Sequence, residues 1–162
     1  MVVACIGLGA NLGDAQGTVR AAIQALGQLP GTRLLAASRL YGTPAWGNEA
    51  QPDFVNAVAV LETTLAAPAL LEQLLATERG FGRVRDPALH WGPRMLDLDL
   101  LLYGTQVIDL PQLKVPHPYL HQRAFALLPL AEVAPEAVIP GHGTVRDVLV
   151  GIKTSDITPL GG

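Results

Sequence analysis

The stretch WGPRMLDLDLLLYG, residues 91–104, places two aspartates, Asp97 and Asp99, inside a run of leucines. A carboxylate among apolar side chains costs free energy unless a partner compensates its charge. If residues 95–103 form a strand, alternate side chains point to opposite faces, and both aspartates share one face. On a helix, residues two apart would point in nearly opposite directions. We predict a core face with Leu96, Leu98, Leu100 and Leu102, and a second face with Met95, Asp97, Asp99, Leu101 and Tyr103.

The paired aspartates indicate a cation site. Two carboxylates about 7 Å apart along a strand repel each other unless a cation lies between them. Oxygen ligands favour a hard cation, above all Mg²⁺, which proteins often hold through one or two carboxylates plus substrate phosphates. The alternative is a solvated strand face on which aspartates happen to alternate. The loop that precedes the strand favours the metal site.

That loop, GRVRDPALHWGPR at residues 82–94, is rich in arginine and proline. Arginine is suited to bidentate contact with phosphate, so an acidic strand beside a basic loop fits a metal–triphosphate complex. The alternative is a surface loop whose arginines only aid solubility. From its length and composition we expect a lid that orders around substrate, in which Trp91 either anchors the loop to the core or closes over the ligand.

Composition limits the class of protein. The chain has 162 residues, 49% of them hydrophobic, which fits one domain with a real core. A net charge of −3 argues against a nucleic-acid binder. Each apolar run is shorter than the roughly 18–20 residues that cross a membrane. The single cysteine, Cys5, predicts no disulfide framework and a reducing, cytoplasmic setting.

Hydrophobic periodicity and turn residues predict alternating strands and helices in one unit without repeats or linkers. Asp14 is the predicted N-cap of the first helix, and Pro68 suits the first turn of the second. The predicted strands span residues 2–8, 32–41, 54–63 and 95–103, with a short partner around Val107 and Ile108. Residues 119–134 are predicted to be mostly helical, broken by Pro129 and closed by Pro135, and residues 153–162 to form a frayed tail.

Seven fragments in a fixed order resemble a known family. They are GLGANLGD, YGTPAWG, QPDFVNAV, GRVR, WGPRMLDLDLLLYG, VPHP and RAFALLPLAEVAPE. Together, from about residue 3 to residue 140, they resemble the 6-hydroxymethyl-7,8-dihydropterin pyrophosphokinases of the folate pathway. The resemblance implies one domain over residues 1–162 with an α+β, ferredoxin-like fold, in which helices pack on an antiparallel-rich central sheet.

The resemblance also implies a reaction. ATP donates its terminal pyrophosphate to the hydroxymethyl group of the pterin, giving AMP and the pterin diphosphate. By similarity, Asp97 and Asp99 hold two Mg²⁺ ions, while Arg83 and Arg94 contact the phosphates. The remaining nucleotide positions implied by the resemblance are Glu78, Arg85, Leu100, His117 and Arg123. We expect a cytoplasmic monomer that binds neither nucleic acid nor membrane.

For the pterin, the resemblance implies a pocket of six residues: Thr43, Pro44, Phe54, Asn56, Trp91 and Phe125. The residue types agree with this role. Phe54 and Asn56 are two apart on one predicted strand and face the same way. A flat heteroaromatic ring needs an aromatic face for stacking and an amide for its polar edge. The alternative for Phe54 and Phe125 is ordinary core packing.

Two other functions remain open from the sequence. One is a different Mg-dependent, nucleotide-using transferase. The other is a catalytically silent domain that binds a pterin or a nucleotide. No residue stands out as a general base, so we expect catalysis to depend on positioning and charge neutralisation.

Overall fold

The computed structural model describes residues 1–44, 53–82 and 95–160. Ten strands, four α-helices and a short 3₁₀ helix lie in these ranges. The first half contains β1 (Val2–Ala10), α1 (Ala15–Leu26), β2 (Thr32–Ala37), β3 (Tyr41–Thr43), β4 (Phe54–Thr63) and α2 (Ala67–Gly80). The second half contains β5 (Asp97–Tyr103), β6 (Ile108–Leu110), β7 (Leu113–Val115), the 3₁₀ helix (Leu120–Gln122), α3 (Ala124–Val133), β8 (Val138–Ile139), β9 (Gly143–Thr144), α4 (Val145–Val150) and β10 (Thr158–Pro159).

The central sheet confirms the predicted α+β, ferredoxin-like fold. Its strand order is β10-β3-β4-β1-β5, with β2 also paired to β4, and every pairing is antiparallel. Along the chain, β1, α1, β2, β4, α2 and β5 give the βαββαβ order of the split βαβ arrangement. Within the described residues, no helix has the length and apolar character that a membrane crossing requires.

Helices cover the two faces of this sheet unequally. On one face, α1 and α2 bury a large apolar cluster that includes Ile6, Leu61 and Leu74. On the other face, α3 and α4 pack against a smaller cluster that includes Val58 and Leu127. The smaller cluster occupies one part of this second face of the sheet. The candidate site described below lies on the other part of the same face.

Several local predictions are confirmed. Asp14 caps α1, because its Oδ1 accepts a hydrogen bond of 3.0 Å from the Gly17 N–H. Strand β4 has the predicted bounds, and Pro68 lies in the first turn of α2. Helix α1 buries Val19, Ile23 and Leu26 on one face, which fits the helical periodicity of its apolar residues. These features depend on neighbours within a few residues, which is why the sequence reveals them.

The predicted alternation along β5 is correct as far as Leu101, which lies on the same face as Asp97 and Asp99. Ile6 pairs with Leu100 and Cys5 with Leu102, so Leu101 is an extra residue with no partner in β1. Such a bulge moves the following residues to the opposite faces. Leu102 therefore packs in the α3 cluster and Tyr103 in the α1–α2 cluster, the reverse of the prediction.

The single strand predicted over residues 32–41 is wrong. It is divided into β2 and β3, which pair with different parts of β4. Ser38 lies at the division, where its N–H donates to Val58 O at 2.9 Å and its Oγ accepts from Val58 N at 2.9 Å. The hydroxyl thus takes the place of a backbone carbonyl, and β4 keeps its hydrogen bond while the edge strand changes course.

Three further predictions need correction. Pro129 lies inside α3 without breaking it, although residues before this helix form only a 3₁₀ helix. The short strand at Ile108 pairs with β7 instead of β5. The tail is not frayed over residues 153–160: Thr158 and Pro159 pair with β3, and Leu160 N donates to Leu40 O at 2.8 Å. Unused edge groups of β3 supply these partners, which composition alone does not reveal.

We predict that Ser38→Ala lowers the free energy of unfolding by about 1–3 kcal/mol, because the buried Val58 N–H loses its acceptor. Urea denaturation monitored by circular dichroism measures the change. Ser155→Ala, at an exposed position, is the control and changes the value by less than about 0.5 kcal/mol. Equal stability of the two variants would show that the Ser38 hydroxyl has no such role.

Candidate active site

Two glycines of β1 form the floor of a cavity beside the aspartates. In the sheet register, Asp99 pairs with Gly7 and Asp97 with Gly9, and Gly9 pairs on its other side with Asn56 of β4. Residues paired in this way point to the same face of the sheet. A Cβ on Gly9 would lie 3.1 Å from Asn56 Oδ1, so a larger residue would fill the space between β4 and β5.

The cavity above this floor has a volume of about 520 Å³. It has walls on three sides, formed by the end of β3, the start of α3 and the chain before β10. The residues that line it beside the two aspartates and the two glycines include Thr43, Pro44, Phe54, Asn56, Leu101, Arg123, Phe125, Lys153, Asp156 and Ile157. Among the described residues, the lining thus combines carboxylates, a guanidinium, an ammonium group, two amides and two aromatic rings.

Behind the aspartates, a buried glutamate holds the strand. Glu78, near the end of α2, is only 2% exposed, and its Oε2 accepts a hydrogen bond of 2.8 Å from Leu98 N. Leu98 is the residue between Asp97 and Asp99 on β5, the last strand of the sheet on this side. The carboxylate therefore satisfies an edge N–H and fixes the backbone from which both aspartates project.

The amide of Asn56 is oriented by a neighbouring strand. Its Nδ2 donates a hydrogen bond of 2.8 Å to Thr43 Oγ1, and both residues are buried. With the amide nitrogen turned towards β3, the Oδ1 lies on the side of Gly9. An acceptor with a fixed direction suits recognition of an N–H group on a ligand.

Two phenylalanines and an arginine also line the cavity. Phe54 on β4 is half-buried, and Phe125 on α3 is 37% exposed, so the Phe125 ring retains surface for a ligand. The Arg123 guanidinium lies 5.6 Å from the centroids of both the Phe125 and the Tyr119 rings. These cation–π contacts hold a positive charge at the cavity.

His117 lies close enough to Asp99 and Arg123 to be influenced by their charges. Burial lowers the pKa of the His117 imidazole, the Asp99 carboxylate opposes this change, and the Arg123 guanidinium lowers the pKa further. The His117 N–H of the backbone donates to Leu101 O at 3.1 Å, which attaches the VPHP segment to β5. A neutral imidazole is therefore favoured beside the aspartates.

The structure brings most of the predicted site residues together. Eight line the one cavity: Thr43, Pro44, Phe54, Asn56, Asp97, Asp99, Arg123 and Phe125. Three do not line it: Glu78 and Leu100 are buried behind the aspartates, with Leu100 in the α1–α2 cluster, and His117 is half-buried near Asp99. The predicted positions Arg83, Arg85, Trp91 and Arg94 lie outside the described residues.

Sequence reasoning missed two parts of the cavity. Gly7 and Gly9 are not among the predicted site residues, whereas both line the cavity. Their spacing of two, on a strand that faces the aspartates, was the available signal. Lys153, Asp156 and Ile157 were assigned to a frayed tail, and their local sequence carries no signal for the cavity.

Paired carboxylates, two aromatic rings and an oriented amide line one cavity, a combination that is typical of an enzyme site for a small molecule. Residues 5–135 match the family described as 7,8-dihydro-6-hydroxymethylpterin-pyrophosphokinase (HPPK). The chain belongs to this family.

Two relatives are similar in sequence to this chain over almost its whole length. A 2-amino-4-hydroxy-6-hydroxymethyldihydropteridine pyrophosphokinase from Pseudomonas aeruginosa is 46% identical over 157 residues, covering 97% of this chain and 96% of the relative. A protein of the same name from Methylorubrum extorquens is 44% identical over 158 residues, covering 97% of this chain and 98% of the relative.

Solved structures share the fold. A Plasmodium falciparum HPPK-DHPS structure with pteroate has a TM-score of 0.72 at 14% identity, covering 92% of this chain and 42% of that chain. An HPPK-DHPS structure in complex with substrates has a TM-score of 0.69, also at 14% identity, covering 92% of this chain and 43% of that chain. The chain thus spans less than half the length of these proteins, and the likeness concerns the fold.

We predict that Glu78→Ala lowers the free energy of unfolding by about 1–3 kcal/mol, because the Leu98 N–H loses its acceptor. Glu78→Gln keeps an acceptor oxygen and loses less. Glu72→Ala, at an exposed position of the same helix, is the control. Denaturation curves of the three variants test the role of this contact, and identical curves for Glu78→Ala and Glu72→Ala would contradict it.

We predict that Arg123→Gln raises the pKa of the His117 imidazole, because a neighbouring cation disfavours the imidazolium and its removal favours protonation. An NMR titration of the histidine resonances measures the shift. Arg146→Gln, whose guanidinium is paired with Glu136 at the surface, leaves the His117 pKa unchanged. A lower or equal pKa in Arg123→Gln would contradict the sign of this interaction.

Proposed function

We propose that the described cavity is where this chain transfers pyrophosphate from ATP to the hydroxymethyl group of 6-hydroxymethyl-7,8-dihydropterin, giving AMP and the pterin diphosphate. Membership of the HPPK family makes the chain a diphosphate transferase of folate biosynthesis with ATP as co-substrate. What remains a proposal is the place of the reaction and the role of each residue.

One observation gives the strongest support for this cavity as the place of the reaction. The Asp97 and Asp99 carboxylates and the oriented Asn56 amide line the same cavity, on the same face of the sheet. A metal-bound triphosphate and a heteroaromatic ring can therefore meet in this cavity, which Gly7 and Gly9 also line. Transfer between two substrates requires this kind of shared, preformed space.

The two aspartates fit Mg²⁺ by the chemistry of their donor atoms. The described residues contain no cluster of three or more His, Cys, Asp or Glu side chains that would enclose a metal. Mg²⁺ is commonly bound by one or two carboxylates with substrate phosphates completing its coordination. When bound, Mg²⁺ supplies neutralisation of phosphate charge and favours loss of the hydroxyl proton. We propose two such ions, held by Asp97 and Asp99.

In the proposed reaction, the hydroxymethyl oxygen of the pterin attacks the β-phosphorus of ATP. A new O–P bond forms, the bond from the β-phosphorus to the bridging oxygen of the α-phosphate breaks, and AMP leaves while the hydroxyl proton passes to solvent. The protein holds the pterin ring between Phe54 and Phe125, with Asn56 at its polar edge. Catalysis then consists of positioning and electrostatic stabilisation.

The remaining residues have proposed roles outside this centre. Arg83 and Arg94 contact the phosphates, and Arg85 and Trp91 belong to the loop that closes over the substrates. Among the described residues, Arg123 and His117 are placed to meet the nucleotide phosphates near Asp99. We propose that Glu78 acts by positioning β5 and that Leu100 contributes through its backbone, because both side chains are buried.

We also infer that the protein is a cytoplasmic monomer. Cys5 is the only cysteine, and burial raises the pKa of its thiol to about 12, so the group remains protonated. A single buried cysteine without a disulfide agrees with a reducing compartment. Sedimentation measurements test the oligomeric state.

The proposed activity is tested by incubating the protein with Mg-ATP and 6-hydroxymethyl-7,8-dihydropterin and separating the nucleotides. We expect AMP to appear in equal amount to the pterin diphosphate, without free pyrophosphate. Release of pyrophosphate would instead indicate a nucleotidyltransferase. Pterin binding without any nucleotide turnover would indicate a silent binding domain.

We predict that Asp97→Asn and Asp99→Asn each reduce kcat by at least a hundredfold while the melting temperature changes little, because each removes a metal ligand from a half-buried position. Asp109→Asn, at an exposed position paired with Lys114, is the control for loss of one negative charge. Full activity in both site variants would exclude the metal assignment.

A further inference from the structure

One wall of the cavity comes from a segment that the family match does not include. Lys153, Asp156 and Ile157 line the cavity together with Thr43 and Phe54. The match to the family ends at residue 135, so this wall has no assigned role. Two charged side chains and one apolar side chain here add to the set of groups that a substrate meets.

The segment is held in place by the sheet. Thr158 pairs with Gly42, and continuing this antiparallel register by one residue places Ile157 beside Thr43. Thr43 pairs on its other side with Phe54, so Ile157, Thr43 and Phe54 form a row across three strands. Ile157 is only 8% exposed, and its N–H donates to Thr154 O at 3.0 Å. The preceding residues therefore reach the cavity from an anchored position.

The position of this wall relative to the aspartates indicates which end of the substrate it meets. Strand order places β5 at one edge of the sheet and β10 at the other, with β1, β4 and β3 between them. Neighbouring strands are ~4.8 Å apart. A fused two-ring substrate with its hydroxymethyl group at Asp97 and Asp99 must extend across β1 towards β4 and β3. Its far end, the amino-pyrimidine ring, then points towards the segment that contains Asp156.

The chemistry at that far end fits a carboxylate. An amino-pyrimidinone ring presents an exocyclic NH₂ group and a ring N–H side by side, both of them hydrogen-bond donors. An ionised carboxylate is an acceptor with two oxygens and can receive both. Asp156 is the acidic side chain that lines the cavity from the β10 side, whereas Asp97 and Asp99 line it from β5.

We propose that residues 153–157 form a substrate-contacting wall, in which the Asp156 carboxylate accepts hydrogen bonds from the amino-pyrimidine edge of the pterin and Ile157 packs against the ring. This inference rests on the proposed function, because it uses the pterin as the ligand. It makes the C-terminal segment a determinant of substrate specificity, selecting rings that carry the 2-amino group.

The test compares wild type with Asp156→Asn, which keeps the size of the side chain and removes its charge. We expect the KM for 6-hydroxymethyl-7,8-dihydropterin to rise about tenfold or more, while the KM for ATP and kcat change less than twofold. With the analogue that lacks the 2-amino group, the two proteins should have similar KM values. A structural defect would not distinguish these two substrates.

Asp109→Asn, with the same charge change at a distant surface position, is the matched control. Ile157→Ala should also raise the KM for the pterin, and a circular dichroism melt separates that effect from loss of the fold. Wild-type turnover with an unchanged KM in Asp156→Asn would overturn this inference alone. Absence of AMP formation by the wild type would instead overturn the proposed function.

Discussion

The site depends on one buried hydrogen bond, from Leu98 N to the Glu78 carboxylate. This bond joins α2 to the last strand of the sheet at the residue between the two aspartates. An edge strand without such a partner leaves its outward N–H groups to water and its side chains free to shift in register. Fixing the backbone at this point fixes the direction of both carboxylates, and the metal-binding role proposed for them requires that fixed direction.

In the part of the chain that the structure describes, helices cover one face of the sheet only in part, and the cavity lies on the remaining part. Helix α3 packs over Val58 and Leu102, whereas the neighbouring area contains Gly7 and Gly9 and lacks the side chains that a helix would need for packing. Polar residues border this area, and the two glycines at its centre have no side chains. One part of this sheet face therefore packs in the core, and another part lines the cavity. Helix α3 contributes to both, through Leu127 in the core and Phe125 in the cavity.

The sequence predicted the features that depend on near neighbours. The bounds of β4, the Asp14 cap and the shared face of Asp97 and Asp99 all follow from local periodicity or spacing. Features that depend on distant partners were missed or misplaced. The division at Ser38 requires Val58, the bulge at Leu101 requires β1, and the ordered tail requires the free edge of β3. The family resemblance predicted eight of the residues that line the cavity, but it did not predict the hydrogen bond from Leu98 N to Glu78, which depends on a partner on another element.

The extra residue at Leu101 separates two requirements within one short strand. Before it, Asp97 and Asp99 lie on the face of the sheet that borders the cavity. After it, the alternation is reversed, and Leu102 packs in the α3 cluster. A perfectly regular strand would add one more residue to the open face for every two residues that it gained in length. The extra residue therefore lets the strand continue into the hydrophobic core without adding residues to the cavity lining. Deletion of one residue there would remove the change of phase between these two parts of the strand.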